Sequence, residues 1–182
     1  QITTTADAPI KNLYAGSYDD ENGNITLNIT NSEIYGNVYA SGRSYRYTQT
    51  GTVTANLENV SIYHHKTISE TDMLNNITST GGAFWGAEGK VSGNVTVNFS
   101  GSYYAQYGTW FGTQNSSIGG NATFKFTDIT NEELKYVGNY RSKVGNYNYI
   151  YVNKTNLANV FGWDYLYLNE CNVAPEQHFG HM

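Results

Sequence analysis

Cysteine is nearly absent: Cys171 is the only one in 182 residues. With no partner in the chain it forms no internal disulfide, and no thiolate metal cluster can be built. Charge is scarce too, at 14% of residues. Ten basic residues stand against fifteen acidic ones, a balance that leaves no electrostatic footprint for nucleic acid. No apolar run approaches the roughly twenty residues that a membrane-spanning helix requires. Two prolines and nineteen glycines would be compatible with disorder, but seventeen tyrosines, seven phenylalanines and three tryptophans argue for a packed core. The chain opens on Gln1 rather than Met, as a chain trimmed of its signal peptide would. The closing Gly180-His181-Met182 reads as a cloning remnant.

Solvation falls instead to Asn, Thr, Ser, Gly and Tyr, a lysine-poor composition commoner outside cells than in the cytosol. An extracellular or cell-surface location is expected. The length suits a single domain over 1–182, with 1–9 as a possible N-terminal arm and 169–182 as a tail.

The chain repeats itself. GNITLNITNSEIYGNVYASG starts at Gly23, GTVTANLENVSIYHH at Gly51, GNVTVNFSGSYYAQYGTWFG at Gly93 and GNATFKFTDITNEELKYVGN at Gly120. A weaker copy starts at Asn148 and a half copy, IKNLYAGS, at Ile10. Most copies are spaced by about 27 residues, a period that signals stacked architectures. Within a copy the period is two: Ile25, Leu27 and Ile29 point one way, Thr26, Asn28 and Thr30 the other. Strict alternation marks a strand with one buried face. Asn31, Asn59, Gly101, Asp128 and Asn156 then follow as turn residues that accept a left-handed backbone. A second short strand carries Ile34, Ile62 or Leu157, and a third element is aromatic, as in GNVYASG and GAFWGAEG.

One copy cannot cover its own apolar face; stacked copies can, at about 4.8 Å per rung. The expected fold is all-β, a right-handed parallel β-helix (a β-solenoid) of about six rungs. One or two short helical insertions are expected, as single turns over Ser69–Leu74, within an insertion from about His64 to Thr80, and over Thr130–Lys135. Over roughly residues 10 to 168 the GNVTVN…GNVYAG style resembles the repeats of extracellular right-handed β-helix proteins, among them autotransporter passengers and adhesin-like surface proteins. The resemblance implies surface attachment or assembly. It carries no catalytic residue, because no catalytic motif is matched.

Among candidate sites, the stacked row Thr26, Thr54, Thr96 and Thr123 beside Asn28, Asn56, Asn98 and Lys125 fits strand propensity and ladder hydrogen bonding better than an ice-binding array. Aromatic residues exceed what the inward positions can hold. Tyr103, Tyr104, Tyr107 and Trp110, then Tyr147, Tyr149 and Tyr151, then Trp163, Tyr165 and Tyr167 are candidates for a ligand or partner surface. Nine sequons stand at Asn24, Asn28, Asn59, Asn76, Asn94, Asn98, Asn115, Asn121 and Asn153; most follow from the outward Asn/Thr alternation, with Asn76 and Asn115 placed in loops. Asp19, Asp20 and Asn22 bunch oxygen ligands as a calcium loop does, though without the downstream bidentate Glu, so a solvated turn accounts for them as well. His64-His65 and the terminal histidines read as surface residues.

No cofactor is called for. The expected function is non-catalytic contact with a glycan or a surface protein, with copies of the chain itself as an alternative partner in a filament or surface layer. No nucleic acid partner and no membrane span are expected. A polysaccharide-cleaving enzyme would require carboxylates such as Glu33, Glu58, Asp128 and Asp164 to converge.

Overall fold

The computed structural model describes residues 10, 12–16, 21–64, 82–102, 110–129 and 134–172. These are all-β, with no helix among the described residues. One sheet of six strands runs in the order β3 (Ile25–Tyr35), β6 (Val53–Tyr63), β8 (Val95–Ser100), β10 (Ala122–Thr127), β13 (Asn148–Asn153) and β15 (Tyr165–Asn169). The second runs β1 (Asn12–Tyr14), β4 (Asn37–Tyr39), β7 (Ala83–Val91), β9 (Trp110–Ile118), β11 (Leu134–Tyr140) and β14 (Leu157–Phe161). Beside it lie β2 (Glu21–Asn22) and β5 (Arg43–Thr50), and β12 (Lys143–Val144) pairs with β9. Every described strand pair is parallel.

The repeats stack in register, so equivalent letters become vertical neighbours. Ile25, Val53, Val95 and Ala122 form one column, and Thr26, Thr54, Thr96 and Thr123 form the next. One main-chain bond recurs at the strand starts: Ile25 N–H donates to Thr52 O, Val53 to Asn94 O, and Val95 to Asn121 O, each at 2.9 Å. Side chains reinforce it outside, where Asn56 Nδ2 donates to Asn28 Oδ1 and Asn98 Nδ2 to Asn56 Oδ1, both at 2.8 Å.

A left-handed residue recurs once per rung along this sheet, within β3 and β6 and directly after β8, β10, β13 and β15. The column reads Asn31 (φ 47°), Asn59 (52°), Gly101 (81°), Asp128 (55°), Lys154 (48°) and Glu170 (51°). The fifth corner is therefore Lys154 and not Asn156. Lys and Glu pay a steric cost there that Asn, Asp and Gly largely escape, and Lys154 Nζ lies 3.9 Å from Asp128 Oδ1 in the rung beside it. Gly101 has a second reason to be glycine: a Cβ would collide with Asn59 Oδ1, which accepts Ser102 N–H at 2.9 Å.

Two further expectations are corrected. Leu157 lies in β14, paired with Leu134 in the second sheet, and so is not the counterpart of Ile34 and Ile62. Leu134 and Lys135 belong to β11, so a helical turn does not reach them; stacking on β9 and β14 outweighs the local capping pattern. Residues 65–81 and 130–133, which hold the rest of the proposed insertions, lie outside the described residues.

The core lies between the inward columns of the two sheets. Phe84, Phe99, Phe124, Phe126, Ile150 and Val137 are buried within it. Phe124 owes its place to Gly86 of β7, where a Cβ would come 2.8 Å from Phe124 Cζ and 3.1 Å from Val95 and Val97 methyls. Gly86→Ala is expected to overpack this layer and cost about 1–3 kcal/mol, read as a lower urea midpoint at unchanged slope. Shortening the opposing ring with Phe124→Leu in the same chain is expected to recover part of the loss.

Candidate functional site

Along the outward face of the first sheet the columns change chemistry. The Thr26–Thr54–Thr96–Thr123 row continues as Tyr149 and Tyr165, and the Asn28–Asn56–Asn98–Lys125 row continues as Tyr151 and Tyr167. Adding Tyr147 at the foot of β13, five tyrosines gather on the last two strands. Tyr147, Tyr151, Tyr165 and Tyr167 are 50%, 38%, 42% and 47% exposed, and Tyr149 is half-buried among them.

Register dictates how the rings meet. Tyr151 and Tyr167 are direct parallel partners, and their rings stack at 4.6 Å with 5° between planes. Tyr149 and Tyr165 stack at 5.1 Å and 15°. Tyr147 closes the group edge-on, 5.4 Å from Tyr165 and 6.0 Å from Tyr149. On the other side Lys125 Nζ stands 5.9 Å from the Tyr151 ring centre, within cation–π range. Neighbours thus cover most ring faces, and the broad surface presents edges and hydroxyls. Because β15 has only β13 as a partner among the described residues, the second faces of Tyr165 and Tyr167 point past the sheet edge.

A shallow groove of about 660 Å³ crosses this surface, lined by Lys125, Tyr151, Asn153, Tyr167, Leu168 and Asn169 among others. Asn169 Nδ2 donates to Asn153 Oδ1 at 2.6 Å along its wall. Leu168 occupies an inward position, yet it is 44% exposed because no further rung is stacked on it among the described residues. Beneath the face, a polar network fastens β15 to β13. Asp164 Oδ2 accepts Asn148 N–H at 2.8 Å, and Asn148 Oδ1 accepts Asn139 Nδ2 at 3.0 Å from the opposite sheet. Asn139 Oδ1 in turn accepts Thr113 Oγ1 at 2.9 Å.

Other candidates fall elsewhere. Trp163 is not on the face: it packs against the core, 5.2 Å from Phe124, with Nε1 donating to Val137 O at 3.2 Å. Trp110 lies in β9 in register with Tyr136, on the second sheet. Tyr103, Tyr104 and Tyr107 lie outside the described residues, as do Asp19, Asp20 and Asn76. Asn22 is in β2. His64 is buried, not superficial, with its imidazole over Gly82, while His65 is outside the described residues. No cluster of three His, Cys, Asp or Glu is held in metal-binding proximity among the described residues.

The four carboxylates are not gathered. Glu33 and Glu58 sit on β3 and β6, Asp128 at a corner two strands further on, and Asp164 against Asn148 at the last strand.

Several sequon asparagines are engaged in the stack. Asn24 Oδ1 accepts Thr52 N–H at 2.9 Å, Asn94 Oδ1 accepts Asn121 N–H at 2.9 Å, and Asn121 Oδ1 accepts Tyr147 N–H at 3.2 Å. The Nδ2 amides of Asn59 and Asn98 donate along their ladders. Asn115 lies inside β9 at a left-handed bend (φ 44°), not in a loop.

Lys125 and Leu168 were not singled out as members of the face. Aligning the copies brings Lys125 into the column of Tyr151 and Tyr167, but only the end of the stack exposes Leu168. Among known proteins, the chain matches no family model, no curated sequence and no solved structure.

Packing also tunes the phenols. Burial among its neighbours, and then repulsion from Tyr165, Tyr151, Tyr167 and Tyr147 as they ionise, push the Tyr149 hydroxyl above its ordinary value. The unfolded chain therefore releases this proton first. The contribution of Tyr149 to stability is complete below about pH 10 and is lost as pH rises through its folded value. Tyr149→Phe is expected to soften the alkaline loss of stability in urea midpoints measured from neutral pH to above about 10. It is also expected to remove one upward-shifted phenol from the absorbance titration.

Proposed function

We propose that the chain is an extracellular contact module, built as a right-handed β-solenoid of about six rungs, which binds a glycan or a partner protein through its tyrosine face without catalysing a reaction. The observation that carries the reading is the cluster of five tyrosines at β13 and β15, four of them exposed, in rows that hold Thr, Asn or Lys in the earlier rungs. Phenol hydroxyls, the Asn153 and Asn169 amides and the Lys125 ammonium surround the groove with donors and acceptors on an apolar floor, which suits a hydroxyl-rich ligand. The rings are held by stacking and by the strands beneath, so little ordering cost accompanies binding. Tyr151→Ala with Tyr167→Ala is expected to weaken capture on a glycan array by about tenfold or more, with circular dichroism unchanged. An array on which the wild-type chain binds nothing, while protein partners are retained by the same tyrosines, would move the reading to a protein ligand.

A second reading is self-assembly, favoured by the β15 edge. Leu168 and the outer faces of Tyr165 and Tyr167 flank a strand paired on one side among the described residues. Such edges recruit further strands unless protected. The strand at the other end of that sheet, β3, points the same way, so a second copy stacked head to tail would form a parallel pair and generate a fibre. Concentration-dependent growth in sedimentation velocity, abolished by Leu168→Lys, is the expected outcome of this reading. A concentration-independent monomer would remove it and leave the tyrosine face untouched.

A further inference from the structure

We propose that a second groove, on the other sheet, is a binding site for an acidic polysaccharide, independent of the tyrosine face. The groove, about 460 Å³, crosses β7, β9 and β12 and is lined by Lys90, Asn115, Ser117, Arg141 and Lys143 together with Gly89 and Ser116. Three of the chain's ten basic residues meet here, and no carboxylate is among the lining residues. In a chain of formal charge −5 that is a local reversal of sign. Register makes it a patterned one. Lys90 and Lys143 are both partners of Ser117, one on each side, so they stand two rungs apart, about 9–10 Å along the stacking axis.

Arg141 completes the set from a backbone position that disfavours it. Its φ is 50°, and its neighbour one rung away is Asn115 at φ 44°; in the rung beyond, Gly89 at φ 83° pairs with Ser116 across a register shift. Asn and Gly are the residues that reach this conformation readily, whereas a long side chain carries a steric penalty. Arg141 nevertheless lines the groove, where an arginine can fork onto carboxylate or sulfate oxygens, and the exposed Ser117 hydroxyl adds a donor.

The ligand class follows from what the groove lacks. No aromatic ring lines it, so unpaired bases find no stacking platform. The acidic chain as a whole repels a densely charged duplex more than a sparsely charged sugar polymer. A linear polysaccharide lying along the axis would meet Lys90 first and, two rungs on, Arg141 and Lys143 together.

The test uses the full chain produced without N-glycosylation, because a glycan on Asn115 would occupy the groove. Binding is measured to immobilised heparin, polygalacturonate, neutral dextran and single-stranded DNA. Wild type is expected to bind at least one acidic polysaccharide, with affinity falling as salt rises, and to ignore dextran. Heparin preferred over polygalacturonate assigns the site to sulfates, and equal binding shows that carboxylates suffice; both support the proposal. Lys90→Gln with Lys143→Gln is expected to lower affinity by about tenfold. Arg141→Asn, the residue one rung away, is expected to lower it several-fold with the circular dichroism spectrum unchanged. Tyr151→Ala with Tyr167→Ala should leave it unchanged, which separates this site from the tyrosine face. No binding to either acidic polymer, equal binding by the groove variants, or tighter binding of DNA would each overturn the proposal.

Discussion

Main-chain hydrogen bonding between parallel rungs is the constraint on which everything else rests. Each strand start donates to the next rung at the same place, as Ile25, Val53 and Val95 do at 2.9 Å, and that repetition locks the copies in register. Register in turn makes columns, because a slip of one residue would turn every apolar side chain outward. Once columns exist, like residues help one another: asparagines share amide hydrogen bonds, tyrosines stack and valines fill one wall of the core. The same constraint demands a left-handed corner in every rung, and the chain meets it even with Lys154 and Glu170, residues poorly suited to that backbone.

A stacked scaffold turns sequence drift between copies into a spatial gradient. Thr and Asn dominate the outward rows early on; Lys125 marks the change, and tyrosines take over in the last two strands. A face of one character thereby gains a distinct patch at one end without any change in fold. On the second sheet the same rule collects Lys90 and Lys143 around Ser117 from segments more than fifty residues apart. The tyrosine face is also held from below, where the Asp164–Asn148–Asn139 network fastens β15.

Much of this architecture was legible beforehand because alternation and turn residues are local signals. The rows Thr26–Thr123 and Asn28–Lys125 were readable from spacing, and so was the division of Tyr165 and Tyr167 from Leu166 and Leu168. Errors came where local preference and stacking disagree. Asn156 is a better left-handed residue than Lys154, yet the strand pairing of Asn153 with Thr127 and Asn169 puts the corner one residue later, at Lys154. The capping pattern before Leu134 invites a helix, but β9 and β14 offer that segment hydrogen-bond partners on both sides. Trp163 shares the parity of the outward Tyr165 and Tyr167, yet its ring packs edge-on to Phe124 at the core.

By itself, then, the sequence determined which residues alternate, that copies recur at a fixed step, and which rows share a character, since periodicity and turn chemistry act over a few neighbouring residues. Only the tertiary structure decided which faces remain in contact with solvent. It joined Lys90, Arg141 and Lys143 across a groove, buried His64, packed Trp163 against the core, and left Leu168 uncovered among the described residues, because exposure and proximity depend on what the neighbouring rungs and the facing sheet place against each side chain.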